Sequence, residues 1–157
     1  MIYTAEYANQ DDYKNGTMDD QSYYLGEIGA KYKGWLAKVS YEVQEGDGTD
    51  SFKTPLGTNH AFQGWADQYL STPASGLEDI YVTVVGKVLG AKVIVSYHDF
   101  ETDKGSMNAG DEFDILLAKK FMKHYTVGVK YSDFDAGDSS LGKVDTEKFW
   151  LFGQVKF

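Results

Sequence analysis

Lysines and carboxylates recur at alternate positions through several apolar stretches of this chain, and they are the residues best suited to chemistry. Glu6, Glu27, Lys31, Lys38, Glu42, Lys87, Lys92, His98, Asp114, Lys130 and Lys148 all fall on the polar row of a segment whose other row is apolar or neutral. Gathered on one surface, such residues have two uses. A lysine-bearing lining attracts anions such as uronates or phosphate and selects by charge. Alternatively, Lys31, Lys38, Lys87, Lys92 and Lys130 neutralise Glu6, Glu27, Glu42 and Asp114, leaving a packed interior with no net pull on a solute. A narrow enclosure favours neutralisation; a wide one favours selection.

The other candidate residues point away from catalysis. His60, His98 and His124 fall in a loop, a strand and a turn, a scatter that fits neither a metal site nor a catalytic base. No Ser-His-Asp arrangement can be placed, and the absence of cysteine removes disulfides and thiol chemistry. Asp133-Phe134-Asp135-Ala136-Gly137-Asp138 invites a calcium reading but fails the EF-hand spacing, with no acid or Asn before the Gly and no Glu six residues beyond it. Solvated loop charge is the simpler account, loose divalent binding beside lipopolysaccharide phosphates the other. All 15 basic residues are lysine and the formal net charge is -9, so nucleic acid is a poor partner. No enzyme activity, cofactor or metal is expected.

What would position these side chains is a set of eight segments alternating with a period of two. They run over 2–8, 23–32, 35–44, 80–88, 92–100, 113–121, 125–134 and 146–157. In the third, Trp35, Ala37, Val39, Tyr41 and Val43 oppose Leu36, Lys38, Ser40 and Glu42. In the fourth, Ile80, Val82 and Val84 oppose Tyr81, Thr83, Val85 and Lys87, and in the fifth Val93, Val95 and Tyr97 oppose Lys92, Ile94, Ser96 and His98. In the seventh, Tyr125, Val127, Val129 and Tyr131 oppose Thr126, Gly128, Lys130 and Ser132. The sixth is the least regular: Phe113, Ile115 and Leu117 lead to Lys119 on the apolar row, which calls for a bulge or for a lysine reaching the edge. Short and long connections alternate strictly, the longest spanning about 45–79, so the chain reads as one domain over 1–157 in up-and-down order.

Which row faces hydrocarbon is decided by the last strand, the loop asymmetry and the placement of the tyrosines. The chain ends on a strand and a terminal Phe, with Phe149, Leu151, Gly153, Val155 and Phe157 on one row and Lys148, Trp150, Phe152, Gln154 and Lys156 on the other. Bacterial outer-membrane barrels close on strands of this kind and alternate short turns with long external loops. Many of the 12 Tyr, 9 Phe and 3 Trp sit near strand ends, as aromatic girdles require. A mean hydropathy of -0.43 fits a barrel, in which only alternate residues meet lipid. No apolar run approaches the roughly 18 residues of a spanning helix. The expected fold is therefore an all-β, antiparallel up-and-down transmembrane β-barrel of about eight strands with a polar lumen. Val39, Tyr41, Val82, Val84, Val93, Val95, Val127, Val129, Leu151 and Phe157 would face lipid. The start, Met1-Ile2-Tyr3-Thr4-Ala5-Glu6-Tyr7, enters a strand pattern directly, so the export signal that an outer-membrane location needs is absent from this chain.

The segment from His60 to Ala74 with Gly76-Leu77-Glu78-Asp79 resembles one found in alginate-export-type outer-membrane porins of Gram-negative bacteria. Ser96-Tyr97-His98-Asp99-Phe100, Ala118-Lys119-Lys120-Phe121 with Lys123-His124-Tyr125, and Asp145-Thr146-Glu147-Lys148-Phe149-Trp150 are similar to further stretches of that family. The resemblance covers most of the chain from Phe52 onward and corresponds to the C-terminal portion of the longer family members. It implies passive diffusion of small, anionic, sugar acid-like solutes, with outer-membrane lipid, lipopolysaccharide and the barrel-assembly machinery as partners, the last through the C-terminal strand. The chain would then be a fragment of a wider pore or a small barrel whose interior side chains nearly fill. The alternatives are a closed barrel with a structural or anchoring role, and a soluble ligand-binding β-barrel. Phe62, Trp65 and Asp67 are the candidates for a loop constriction, folded into the mouth or packed over the rim.

Overall fold

The alternating segments form eight strands: β1 (Ile2–Gln10), β2 (Gln21–Tyr32), β3 (Trp35–Gln44), β4 (Leu77–Val88), β5 (Ala91–Glu101), β6 (Asn108–Phe121), β7 (Tyr125–Asp135) and β8 (Thr146–Val155). They are taken from a computed structural model, which describes residues 1–11, 20–55 and 62–157. All pairs are antiparallel and sequential, giving one sheet in the order β1-β2-β3-β4-β5-β6-β7-β8. Among the described residues there is no α-helix, and one 3-10 turn at Ser139–Leu141. The expected strands and their up-and-down order are present. Closure is not: no ladder joins β8 to β1, so the sheet is open and has two edges.

Three short turns define one end of the sheet, the turn end. Lys33-Gly34 and Leu89-Gly90 are two-residue links with positive φ at every position (47°, 85°, 49° and 78°), the backbone that a right-twisted hairpin needs. Met122 and Lys123 also take positive φ between β6 and β7. The long connections emerge at the other, loop end.

The register confirms two faces. On the outer face Tyr3, Ile28, Val39, Val82, Tyr97 and Phe113 lie side by side across six strands. On the opposite, inner face the matching row is Thr4, Glu27, Ser40, Tyr81, His98 and Glu112. Exposure is inverted relative to a water-soluble sandwich. Leu151 is 73% exposed and Val82 42%, whereas Glu112 and Asp114 are 0% exposed. The inner face carries buried carboxylates beside one small apolar cluster. Exposed aromatics mark both margins of the outer face, Tyr41, Tyr97 and Phe113 toward the loop end and Tyr32, Trp35, Phe121 and Tyr125 toward the turn end. Six to eight residues separate them along a strand, about 20–26 Å at ~3.3 Å per residue.

Two expectations about β6 change. The strand begins at Asn108, not 113, and its irregularity lies there: the β5–β6 register slips between Phe100 and Glu101, so that Phe100 pairs with Gly110 and Glu101 with Asn108. Gly110 sits at φ 105°, and a Cβ on it would collide with Phe134. Lys119 stays in register opposite Val127 without a bulge; its Nζ reaches the Leu89 carbonyl at the turn end (3.2 Å).

The buried apolar cluster is small and lies on the inner face near the loop end. Tyr69 and Leu77 join Phe100, Phe134, Ala66 and Ala109 there, with the Tyr69 ring 5.1 Å from Phe100.

Candidate functional site

The inner face is covered by the strap, residues 62–72 of the long β3–β4 connection. Its path is fixed by hydrogen bonds to successive strands. Gln63 Nε2 donates to Glu42 Oε1 on β3 (2.7 Å). The Trp65 and Ala66 amides both donate to Glu112 Oε1 on β6, the latter at 2.7 Å, and Ser132 of β7 donates to the same oxygen (2.7 Å). Lys148 Nζ donates to Asp67 Oδ2 (3.0 Å) and Gln68 to Thr146 (3.0 Å), both on β8. Tyr69 then donates to the Ala109 carbonyl, and Thr72 to Gln44. The loop-constriction candidates are thus placed: Trp65 and Asp67 lie on the inner face, and Phe62 is exposed between two clefts of about 290 and 280 Å³ that flank the strap tip. Gly64 makes the close approach possible, since it sits at φ 76° and a Cβ there would stand 2.3 Å from the Glu112 carboxylate.

Pairing of a lysine with a carboxylate, as in the neutralised interior, is seen between Lys38 and Glu27. Lys38 bonds Glu27 Oε2 at 2.6 Å, and Ser40 and Thr4 also donate to Glu27. Glu42 and Asp114 find other environments. Glu42 is held by Gln63 and Gln44, and its Oε2 has no partner among the described residues. Among the described residues neither oxygen of Asp114 accepts a hydrogen bond; His98 Nε2 lies 4.0 Å away. His98 is oriented from its other nitrogen by Asp79 (2.9 Å) and is stacked between Tyr81 and Phe100. Glu6 is exposed at the rim of the first cleft. Lys31, Lys87 and Lys92 are exposed at the turn end, away from the carboxylates. Lys130 lies over two indole rings, Trp65 at 4.7 Å and Trp150 at 4.3 Å, with Lys148 nearby on β8. The buried carboxylates of the inner face therefore lie over β3–β6, while the indoles gather with Lys130, Lys148 and Asp67 over β7–β8.

Glu112 and Asp79 were missed at the sequence level because the strands containing them were started at 113 and 80. Extending the period-two row by one step from Asp114 reaches Glu112, and from Tyr81 reaches Asp79. Gln63 carries no comparable signal, being a loop residue whose partner is 21 positions away.

Outside the strands, electrostatics follow local contacts. Burial pushes the Tyr69 phenol up to about 12. Burial also lowers the Lys143 ammonium, which lies 4.5 Å over the Tyr69 ring and donates to the Gln68 carbonyl. The Asp47 carboxyl is held below its usual range by the amides of Asp50 and Thr49, at 2.8 and 2.7 Å. Asp138 accepts from the Ser140 amide and caps the 3-10 turn, the structural use of the calcium-like stretch. Among the described residues no group of His, Asp and Glu is arranged to hold a metal ion. His60 lies outside the described residues.

Compared with family models, characterised proteins and solved structures, the chain matches none, so the likeness to alginate-export-type porins rests on the residues quoted for it.

Proposed function

We propose that this chain is the wall of a porin-type β-barrel in a bacterial outer membrane, with hydrocarbon against the outer face and small anionic solutes diffusing along the inner one. One observation carries the reading: the apolar row is exposed across the whole sheet while carboxylates are buried on the other side. Water gives no reason for that inversion, since large exposed apolar patches mark an interaction or membrane surface. A bilayer does. The two aromatic margins support it, because Tyr and Trp favour membrane–water interfaces. Unpaired strand edges do not occur in hydrocarbon, so the edges of β1 and β8 pair in the membrane, with each other or with further strands. Lipid and lipopolysaccharide are the implied surroundings, and β8 the strand offered to the assembly machinery.

Over β7–β8 a passing anion meets Lys130 and Lys148 beside Trp65 and Trp150, where it competes with Asp67, which holds Lys148 at 3.0 Å. The second reading is a wall with a structural or anchoring role and no open path. The clamping of Trp65 and Ala66 by Glu112, which seats the strap on the inner face, favours it. Planar-bilayer recording separates the two. The porin reading expects discrete conductance with anion preference that Lys130→Gln/Lys148→Gln reduces. A folded, heat-modifiable protein that stays electrically silent supports the structural role.

A further inference from the structure

The four segments 28–41, 80–98, 115–132 and 148–157 hold eleven of the 15 lysines and none of the 24 acidic residues. In the fold these are the turn-proximal parts of the three hairpins, with the end of β8, so the turn end is basic and the loop end acidic. Within it, a cleft of about 480 Å³ lies between the β2–β3 and β4–β5 hairpins. Lys31, Lys33, Lys87 and Lys92 line it, all exposed, with Leu36 and Val85 of the inner row and Trp35 at the outer-face margin. Among the described residues none of the four forms an ion pair.

Lys87 and Lys92 are direct cross-strand partners. Like charges in that position destabilise a hairpin, and no carboxylate within 28–41 or 80–98 stands beside them to relieve the repulsion. Each lysine carries a flexible ammonium with three donors and no acceptor. The arrangement lacks its counterion, and a tetrahedral oxyanion with several acceptor oxygens satisfies it better than a single carboxylate. From this geometry we infer that the cleft is a phosphate-class anion site, its oxyanion held between Lys87, Lys92 and Lys31 with Lys33 at the lip. The same chemistry comes from a free phosphate or phosphate ester and from the headgroup of an anionic phospholipid. The neighbouring turn tip, Leu89, is 91% exposed. The site stands whether or not the sheet lines a pore.

The test uses the whole chain refolded in a nonionic detergent, titrated with inorganic phosphate and glycerol 3-phosphate by calorimetry. In parallel, association is measured with vesicles of phosphatidylcholine alone and with added phosphatidylglycerol. The site predicts saturable binding of the soluble anions, a preference for phosphatidylglycerol, or both. Lys87→Gln/Lys92→Gln should weaken it by about tenfold or more, Lys87→Arg/Lys92→Arg should retain it, and Lys156→Gln, outside the cleft, should change it little. Saturable phosphate binding without lipid preference identifies a solute site; the reverse identifies a headgroup site. Melting supplies a check independent of affinity: phosphate raises the midpoint of the native chain but not of the glutamine variant, which is itself at least as stable at low salt once the repulsion is gone. Equal binding by native and glutamine forms, or no binding in any arm, overturns the proposal. If a DNA oligonucleotide competes as well as phosphate does at matched charge, the turn end is a general polyanion surface and the proposal also falls.

Discussion

At Gly64 the strap packs tightly against β6, and the consequences are local and measurable. Gly64→Ala places a methyl group against the Glu112 carboxylate at a φ that L-residues avoid. A cost of about 2 kcal/mol or more in denaturant unfolding is expected, with faster protease cleavage near Trp65. Glu112→Ala removes the acceptor shared by Trp65, Ala66 and Ser132. Buried donors left without partners cost about 1–3 kcal/mol each, so the strap should detach. In the porin reading, detachment raises single-channel conductance; unchanged conductance would mean that the strap does not limit the path. Such residues were hard to read beforehand. Lys38 and Glu27 were legible as a pair because both lie on one polar row of adjacent strands. The strap partners of Glu42 and Glu112, Gln63, Trp65 and Ala66, were not, because they come from a connection whose path is set by tertiary contacts. Lys130 also lies over two indoles, a contact no spacing rule supplies.

Elements were far more legible than contacts. Alternation fixes strand faces, since a one-residue slip would exchange every side chain between them, and the two-residue turns then fix the hairpin registers. What escaped was the start of β6, where Asn108, Ala109 and Gly110 accommodate the slip opposite Phe100 and Glu101. Closure escaped as well, because pairing between the first and last strands leaves no periodic trace. Cross-strand packing at the turn end gives one prediction at this scale. A Cβ on Gly86 would stand 2.1 Å from the Trp35 ring, so Gly86→Val should displace that ring and lower the yield of folded protein in detergent, read by Trp fluorescence and heat-modifiability on gels. The loop end gives another, in pH. Hydrogen bonds from the Asp50 and Thr49 amides hold the Asp47 carboxyl below its usual range. A depressed carboxyl stabilises above the unfolded aspartate value and loses its effect as pH falls through the folded one. Exchange of the Thr49 and Asp50 amides should therefore accelerate below the ordinary aspartate range, beyond the intrinsic pH trend, and Asp47→Ala should abolish the extra dependence.

For the molecule as a whole, the two faces and the two ends carry the functional argument. The polarity from a basic turn end to an acidic loop end was present in the sequence, yet it appears only when lysines are counted by hairpin rather than by strand row. The inversion of the faces leads to a sign that distinguishes membrane from water. Leu151→Lys on the outer face should destabilise the bilayer-inserted protein by about 2–4 kcal/mol if it lies near the midplane; at a water-exposed site the same change stays within about 0.5 kcal/mol. The most direct measurement uses the fact that the chain has no cysteine. Single cysteines at Val82, Val127 and Leu151, and at the exposed inner-face positions Glu6 and Lys92, are spin-labelled in lipid vesicles and probed with oxygen and a polar nickel complex. Hydrocarbon contact predicts that the first three favour oxygen and are shielded from nickel, with the two inner-face labels showing no such preference. Nickel reaching the Val82, Val127 and Leu151 labels freely would contradict the account.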